Sequence, residues 1–136
     1  MKITLNRLNE DVHFRATTED GQSIDLDGSP DIGGKDLGPR PMQVVLMALA
    51  SCSSIDVVTI LKKMRQEIET FEVEVDGERV DTIPRVFKKI TLHFIITGKV
   101  KEEKAKQAVE MSLEKYCSVS KMLESSVEID YKLSVN

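Results

Sequence analysis

Between Val44 and Leu61 the chain runs for eighteen residues with a single charge, Asp56. No other feature restricts the fold as strongly, because a helix apolar nearly all round has to be buried on nearly every side. By count the run reaches the threshold of about 18 apolar residues for a membrane-spanning helix. Ser51, Ser53, Ser54 and Thr59 dilute it, however, and an ionised aspartate at mid-span is costly in hydrocarbon. The reading is a core helix from Met42 to about Gln66, with no membrane span. In so small a protein one sheet cannot cover all of it, so a second subunit is expected to supply the other wall.

The flanking segments read as strands, loops and one further helix. Ile3 and Leu5 alternate with polar neighbours, as do Val12, Phe14 and Ala16, with Asn9-Glu10-Asp11 as a turn. Glu19-Asp20-Gly21 then leads into Ser23–Leu26, completing a hairpin or meander. Gly28 to Pro41 holds four of the seven glycines and three of the four prolines, which marks a loop. It is long for a compact domain, and long loops are often functional or bound against a partner. Beyond the helix, Phe71–Asp76 alternates apolar with acidic residues, and Lys89–Thr97 places Ile90, Leu92, Phe94 and Ile96 on one face. Lys101–Tyr116 has Ala105, Ala108, Val109, Ser112, Leu113 and Tyr116 at helical spacing. A break at Cys117-Ser118 precedes Val119–Leu123, and Val127, Ile129, Tyr131, Leu133 and Val135 alternate to the end. The expected class is α+β in a single domain, residues 1–136. It comprises an N-terminal β-meander, a long buried central helix, further antiparallel strands and a second amphipathic helix.

Composition narrows the function. A chain of 136 residues with a net charge of -4 lacks the basic footprint of a nucleic-acid binder, and four Phe, two Tyr and no Trp leave few stacking platforms. The opening MKITLNRLNEDVHF has no apolar core or cleavage site of a secretory signal, and two cysteines do not make a disulfide scaffold. A cytoplasmic protein with free thiols is expected. His13 and His93 stand alone in strand patterns, far from either cysteine in sequence, so no zinc set is visible. Gly33-Gly34-Lys35 does not complete a phosphate loop.

Cys52 and Cys117 remain. Cys52 lies where the core helix turns to small and hydroxylated residues, Ala48-Leu49-Ala50-Ser51-Cys52-Ser53-Ser54, and Cys117 lies at a helix junction. Free cysteine commonly acts as a small buried hydrophobe. The separation of 65 positions (117 minus 52) is compatible with contact but does not require it.

The stretch Gly38-Pro39-Arg40-Pro41-Met42-Gln43-Val44-Val45-Leu46-Met47-Ala48-Leu49-Ala50-Ser51-Cys52, followed by Ser53-Ser54-Ile55-Asp56-Val57-Val58, resembles the central-helix signature of the OsmC/Ohr family. Tyr116-Cys117-Ser118-Val119-Ser120 resembles that family's second cysteine motif, usually Cys-Pro-hydrophobic-Ser. The order of strands and helices matches over essentially the whole chain. The resemblance implies a hydroperoxide-reducing, antioxidant enzyme built as an intertwined homodimer, with each active site at the subunit interface. Cys52 matches the peroxidatic thiol and Cys117 the resolving thiol. No bound cofactor is implied; an external dithiol, lipoyl-type in the organic-hydroperoxide branch, would restore the reduced pair.

Two departures mark a divergent OsmC-like branch. The family activates its thiol with an Arg held by a Glu, but Met42 and Gln43 stand where that Glu belongs. The Arg is open among Arg7, Arg15 and Arg40; Arg40 is the choice here, because its loop leads directly into the Cys52 helix, although the family's own Arg comes from the N-terminal strands. Ser118 replaces the usual Pro of the second motif. The competing reading is a non-catalytic dimer that binds a small hydrophobic ligand in its interface cleft; a third is a structural dimer with both thiols as core filler. Asp56, one turn beyond Cys52, either caps a polar pocket at the dimer seam or faces solvent, and a carboxylate so near opposes thiolate formation.

Overall fold

Alternating apolar residues and turn-forming Asn, Asp and Gly generate most of the elements. The computed structural model describes all residues, Met1–Asn136. In chain order they form β1 (Ile3–Arg7), β2 (Phe14–Thr18), β3 (Ser23–Leu26), a 3-10 turn (Pro30–Ile32), α1 (Pro41–Lys63), β4 (Glu67–Arg79), β5 (Phe87–Lys99), α2 (Glu102–Met111), a π-helical turn (Ser112–Tyr116), α3 (Ser118–Leu123) and β6 (Glu128–Val135). The chain divides into two compact units, Met1–Val45 and Leu46–Asn136.

The first unit is the expected meander, an antiparallel sheet in the order β1-β2-β3, with Leu5 opposite Ala16 and Ala16 opposite Ile24. The glycine- and proline-rich loop after it is more ordered than its composition suggests. Asp27 is buried and accepts the backbone N–H groups of Gly28 at 2.8 Å, Lys35 at 2.9 Å and Leu37 at 3.2 Å. These donors, Lys35 foremost, hold its carboxyl below the usual range against the opposing effect of desolvation. The wrap is tight: a Cβ at Gly34 would lie 1.7 Å from the Gly28 carbonyl oxygen, so only glycine fits there. At the end of the loop the Arg40 carbonyl accepts the Val44 N–H at 3.0 Å, while the Gln43 side chain accepts the Arg40 N–H at 2.9 Å. That reach-back is one half of a capping box, and Pro41 stands at the first helical position, where its missing N–H costs nothing.

In the second unit the strand order is β4-β5-β6. The strands β4 and β5 pair antiparallel along their whole length, with a register shift between Ile68 and Thr70. There a Cβ on Gly98, at φ +127, would meet the Glu67 carbonyl oxygen at 2.3 Å. The expectation of antiparallel strands holds for this pair and fails for β6, which runs parallel to β5 with Ile90 beside Ile129 and Phe94 beside Leu133. The reason is the connection: parallel neighbours need a crossover of a dozen or more residues, and α2, the π turn and α3 provide it. As the middle strand, β5 buries Ile90, Leu92, Phe94 and Ile96 completely, and Phe71 packs edge-on against Phe94 with ring centroids 6.2 Å apart.

This core also takes in Ala105, Ala108 and Val109 of α2 and one stripe of α1, Leu49, Ser53, Val57 and Leu61, all fully buried. That stripe has strict four-residue spacing, the period of one helix face. The expectation of a central helix buried nearly all round is met by the chain itself only along this face: Met47 is 53% and Ile55 68% exposed. By length and composition alone α1 could cross a membrane. Its hydroxyls are nevertheless satisfied within the helix, Ser51 bonding to the Met47 carbonyl, Ser53 to Leu49, Ser54 to Ala50 and Thr59 to Ile55.

Replacing Asp27 with Ala should free the loop, and tryptic cleavage after Lys35 should then be faster than in the parent protein. Because the folded carboxyl sits below its unfolded value of about 3.9, its stabilising contribution is complete above that pH and is lost as pH falls through the folded value. The amide shifts of Lys35 and Leu37 in an acid titration should therefore move with a midpoint below about 3.9.

Candidate functional site

Burial of the Leu49–Leu61 stripe fixes how α1 is rotated about its axis. Cys52 and Asp56 precede Ser53 and Val57 by one residue each, so they lie one turn apart along the flank of the buried face. Both are half-buried.

The other half of the site comes from the end of α2. The amphipathic pattern predicts a helix through Tyr116, but α2 stops at Met111 and the chain makes a π-helical turn from Ser112 to Tyr116. The Cys117 N–H closes it on the Ser112 carbonyl at 2.7 Å. One residue more than an α-turn is accommodated, a device frequent at functional sites. Ser112, fully buried, donates its hydroxyl to Asp56 Oδ2 at 3.0 Å and also lies 3.3 Å from the Ser53 carbonyl oxygen. This pair joins α1 to the turn. Cys117 then leaves the helical conformation, and its sulfur accepts the Ser120 N–H at 3.3 Å at the start of α3.

The two thiols, 65 residues apart in sequence, meet here. The sulfur atoms of Cys52 and Cys117 and a carboxylate oxygen of Asp56 all lie within 4.8 Å of one another. The sulfurs are not equivalent, Cys117 being buried and Cys52 partly exposed. Burial pushes the Cys117 thiol up to about 11; the Ser120 N–H works against that rise, and the neighbouring Cys52 adds to it. Asp56 is half-buried and held by the Ser112 hydroxyl rather than standing freely in solvent. Asp56 is also part of the wall of an open cavity of about 390 Å³ that Thr59, Ile60, Lys63, Met64, Met111 and Tyr116 complete. The trio of Cys52, Asp56 and Cys117 also offers three ligand atoms to a thiophilic ion; a closed tetrahedral site takes four.

The remaining sequence candidates lie in the first unit or on strands. Arg15 is held by Asp25, Nε to Oδ1 at 2.7 Å and a terminal nitrogen to Oδ2 at 3.0 Å, and Arg7 donates to the carbonyls of Glu10 and Asp11. Arg40 is exposed and is tied to Gln43 through its backbone. His13 lies 3.3 Å from Asp25, and His93 is shared between Glu74 at 3.6 Å and Ser134 at 2.8 Å. Ser112 is the residue that sequence reasoning missed as a site member. Its signal was faint: a hydroxyl in the apolar stripe of Ala105, Ala108 and Val109.

A profile of OsmC-like proteins matches residues 33–132. Protein YhfA of Escherichia coli K12 is 43% identical over 127 residues, 93% of this chain and 92% of its own. The chain belongs to the OsmC-like family. The crystal structure of a protein from Aquifex aeolicus VF5 covers 99% of this OsmC-like chain and 96% of its own at 32% identity, with a TM-score of 0.83. An organic hydroperoxide resistance protein from Elizabethkingia anophelis is 16% identical, with a TM-score of 0.75 over 100% of this chain and 97% of its own; at that identity it speaks for the OsmC-like fold alone. The order of elements is thus that of an OsmC-like protein.

The inequality of the two sulfurs is directly measurable. In the native, reduced protein a thiol reagent should label Cys52 quickly, while Cys117 should react only after unfolding or at strongly alkaline pH. Equal native rates at both positions would contradict the buried placement of Cys117.

Proposed function

We propose that this OsmC-like protein is a two-cysteine hydroperoxide reductase. The observation that carries the reading is the meeting of Cys52 and Cys117, because two sulfurs brought so close can exchange a thiol pair for a disulfide without rebuilding the fold. Structural relatives named for organic hydroperoxide resistance agree with it. Cys52, the more accessible sulfur, attacks the terminal oxygen of the hydroperoxide; the O–O bond breaks, an alcohol leaves, and Cys52 becomes a sulfenic acid. Cys117 displaces the hydroxyl of that sulfenic acid, forming the disulfide and releasing water. An external dithiol, lipoyl-type or another, then reduces the disulfide, so the cycle uses no bound cofactor.

Three further elements belong to the proposal. The exposed stripe of Met47 and Ile55 on α1 is covered by a second copy of the chain, giving a homodimer, and the protein works in the cytoplasm, where a dithiol pool can recycle it. Attack requires the thiolate form of Cys52, which a nearby cation favours; Arg40 is the candidate. A second reading draws on the cavity beside Asp56, whose walls of Ile60, Met64, Met111 and Tyr116 suit a small hydrophobic ligand bound without turnover.

One equivalent of cumene hydroperoxide, compared with hydrogen peroxide, separates these readings by mass spectrometry of the reduced protein. A peroxidase loses two hydrogens at a Cys52–Cys117 disulfide, quickly and reversibly with dithiol. Cys52→Ser should abolish turnover with the fold intact, whereas Cys117→Ser should accept one oxidation and then stall or advance to the sulfinic acid. Full activity in both variants, or oxidation of Cys52 no faster than an ordinary thiol, would sink the peroxidase and leave the ligand-binding dimer.

A further inference from the structure

The resolving step needs something the two cysteines do not provide by themselves. Cys117 is buried, and burial pushes its thiol up to about 11, so the thiol form predominates at neutral pH. The thiolate is nevertheless the nucleophile. Ser120 donates an N–H to the sulfur, which helps the charged form, but a hydrogen-bond donor cannot remove a proton. Asp56 is the carboxylate of the cluster, with an oxygen within 4.8 Å of both sulfurs. It is held in place, because the buried Ser112 hydroxyl donates to Oδ2 and leaves the carboxylate with further lone pairs. The other titratable groups around it are Cys52 and Lys63 on α1 and Tyr116 on the π turn, the last two across the cavity wall.

We propose that Asp56 is the general base of the resolving step, taking the proton from the Cys117 thiol as its sulfur attacks the Cys52 sulfenic acid. The assignment rests on the peroxidase reading above. In that step the Cys117 sulfur supplies the electron pair of the new S–S bond, the S–O bond of Cys52 breaks, and hydroxide departs. The thiol proton, relayed by Asp56, joins the hydroxide as water, so Asp56 ends the step as it began and no further reactant is consumed. Ser112 is a positioning residue: its hydroxyl bonds to the carboxylate and to the Ser53 carbonyl. Burial keeps the idle Cys117 thiol protonated, and Asp56 removes that proton when an electrophilic sulfur is waiting.

The test uses the full-length protein and no peroxide. Cys52, the accessible thiol, is converted to its mixed disulfide with thionitrobenzoate, and attack by Cys117 is followed through release of the coloured thionitrobenzoate anion. In the parent protein the release rate should be nearly level between about pH 6 and 9. In Asp56→Asn it should fall by about 100-fold near neutrality, the scale of lost general-base catalysis, and should rise about tenfold per pH unit as hydroxide takes over. Asp56→Glu should recover much of the rate, and Ser112→Ala should slow release while keeping the level profile. Release from Asp56→Asn at the parent rate overturns the assignment. So does a slowed but level profile that Asp56→Glu fails to rescue, since that is the mark of a merely structural carboxylate. Slow release from Asp56→Asn in a protein that no hydroperoxide oxidises would instead bring down the peroxidase reading and leave the Asp56–Cys117 pairing standing.

Discussion

The rotation of α1 about its own axis is the constraint on which the rest depends. Four fully buried residues at four-residue spacing, Leu49, Ser53, Val57 and Leu61, fix it, and no rotation by even one residue position keeps all four from water. Apolar burial of this kind is worth roughly 1.5–3 kcal/mol for a Val or Leu side chain, well above the roughly 0.5–1.5 kcal/mol of a typical hydrogen bond. The apolar stripe therefore sets where the polar flank points. Cys52 and Asp56 owe their position to their sequence offset from Ser53 and Val57, and the Ser112–Asp56 hydrogen bond then locks the π turn onto a helix already oriented.

Residues with a clear period are legible in the amino-acid sequence itself. The alternation in Phe71–Asp76, in Ile90–Ile96 and in Val127–Val135 names the strands, because one face of each meets a core. The punctuation of Gly28–Pro41 names the loop but conceals its order, which comes from one buried carboxylate, Asp27, collecting three amides up to ten residues away. Nor does a strand's own pattern say whether its neighbour is parallel. The direction of β6 follows from the crossover through α2 and α3, a tertiary property. The two cysteines stand out by motif, while spacing only permits their contact. What places Cys117 against Cys52 is the π turn, whose extra residue leaves no mark in the periodicity of Ala105, Ala108, Val109 and Ser112.

Gln43 shows how a departure from a family pattern acquires a local use. The family resemblance implies a glutamate near this position, charged and aimed at an arginine. Here the neutral amide bends back and accepts the Arg40 N–H, finishing the start of α1. The arginine that does have a carboxylate partner, Arg15 with Asp25, is held within the N-terminal sheet. Charge in this chain is thus distributed differently from the family pattern: the first turn of α1 carries no acidic residue, and the acidic group beside the thiols is Asp56.

That redistribution bears on the division of labour between the sulfurs. A thiol that must meet a peroxide needs access, and Cys52 has it. A thiol that must wait without reacting needs to stay protonated and shielded from solvent, and burial of Cys117 does both at once. Protection against premature oxidation and readiness to resolve are opposing demands on a single sulfur, since whatever raises its pKa also depletes the nucleophile. A fixed carboxylate relieves the conflict, because it acts only in the transition state, when the proton is already leaving. The buried Ser112 hydroxyl suits that task better than a second charge would: it restrains Asp56 at the modest cost of burying a satisfied hydroxyl, whereas a lysine or arginine in its place would neutralise the base.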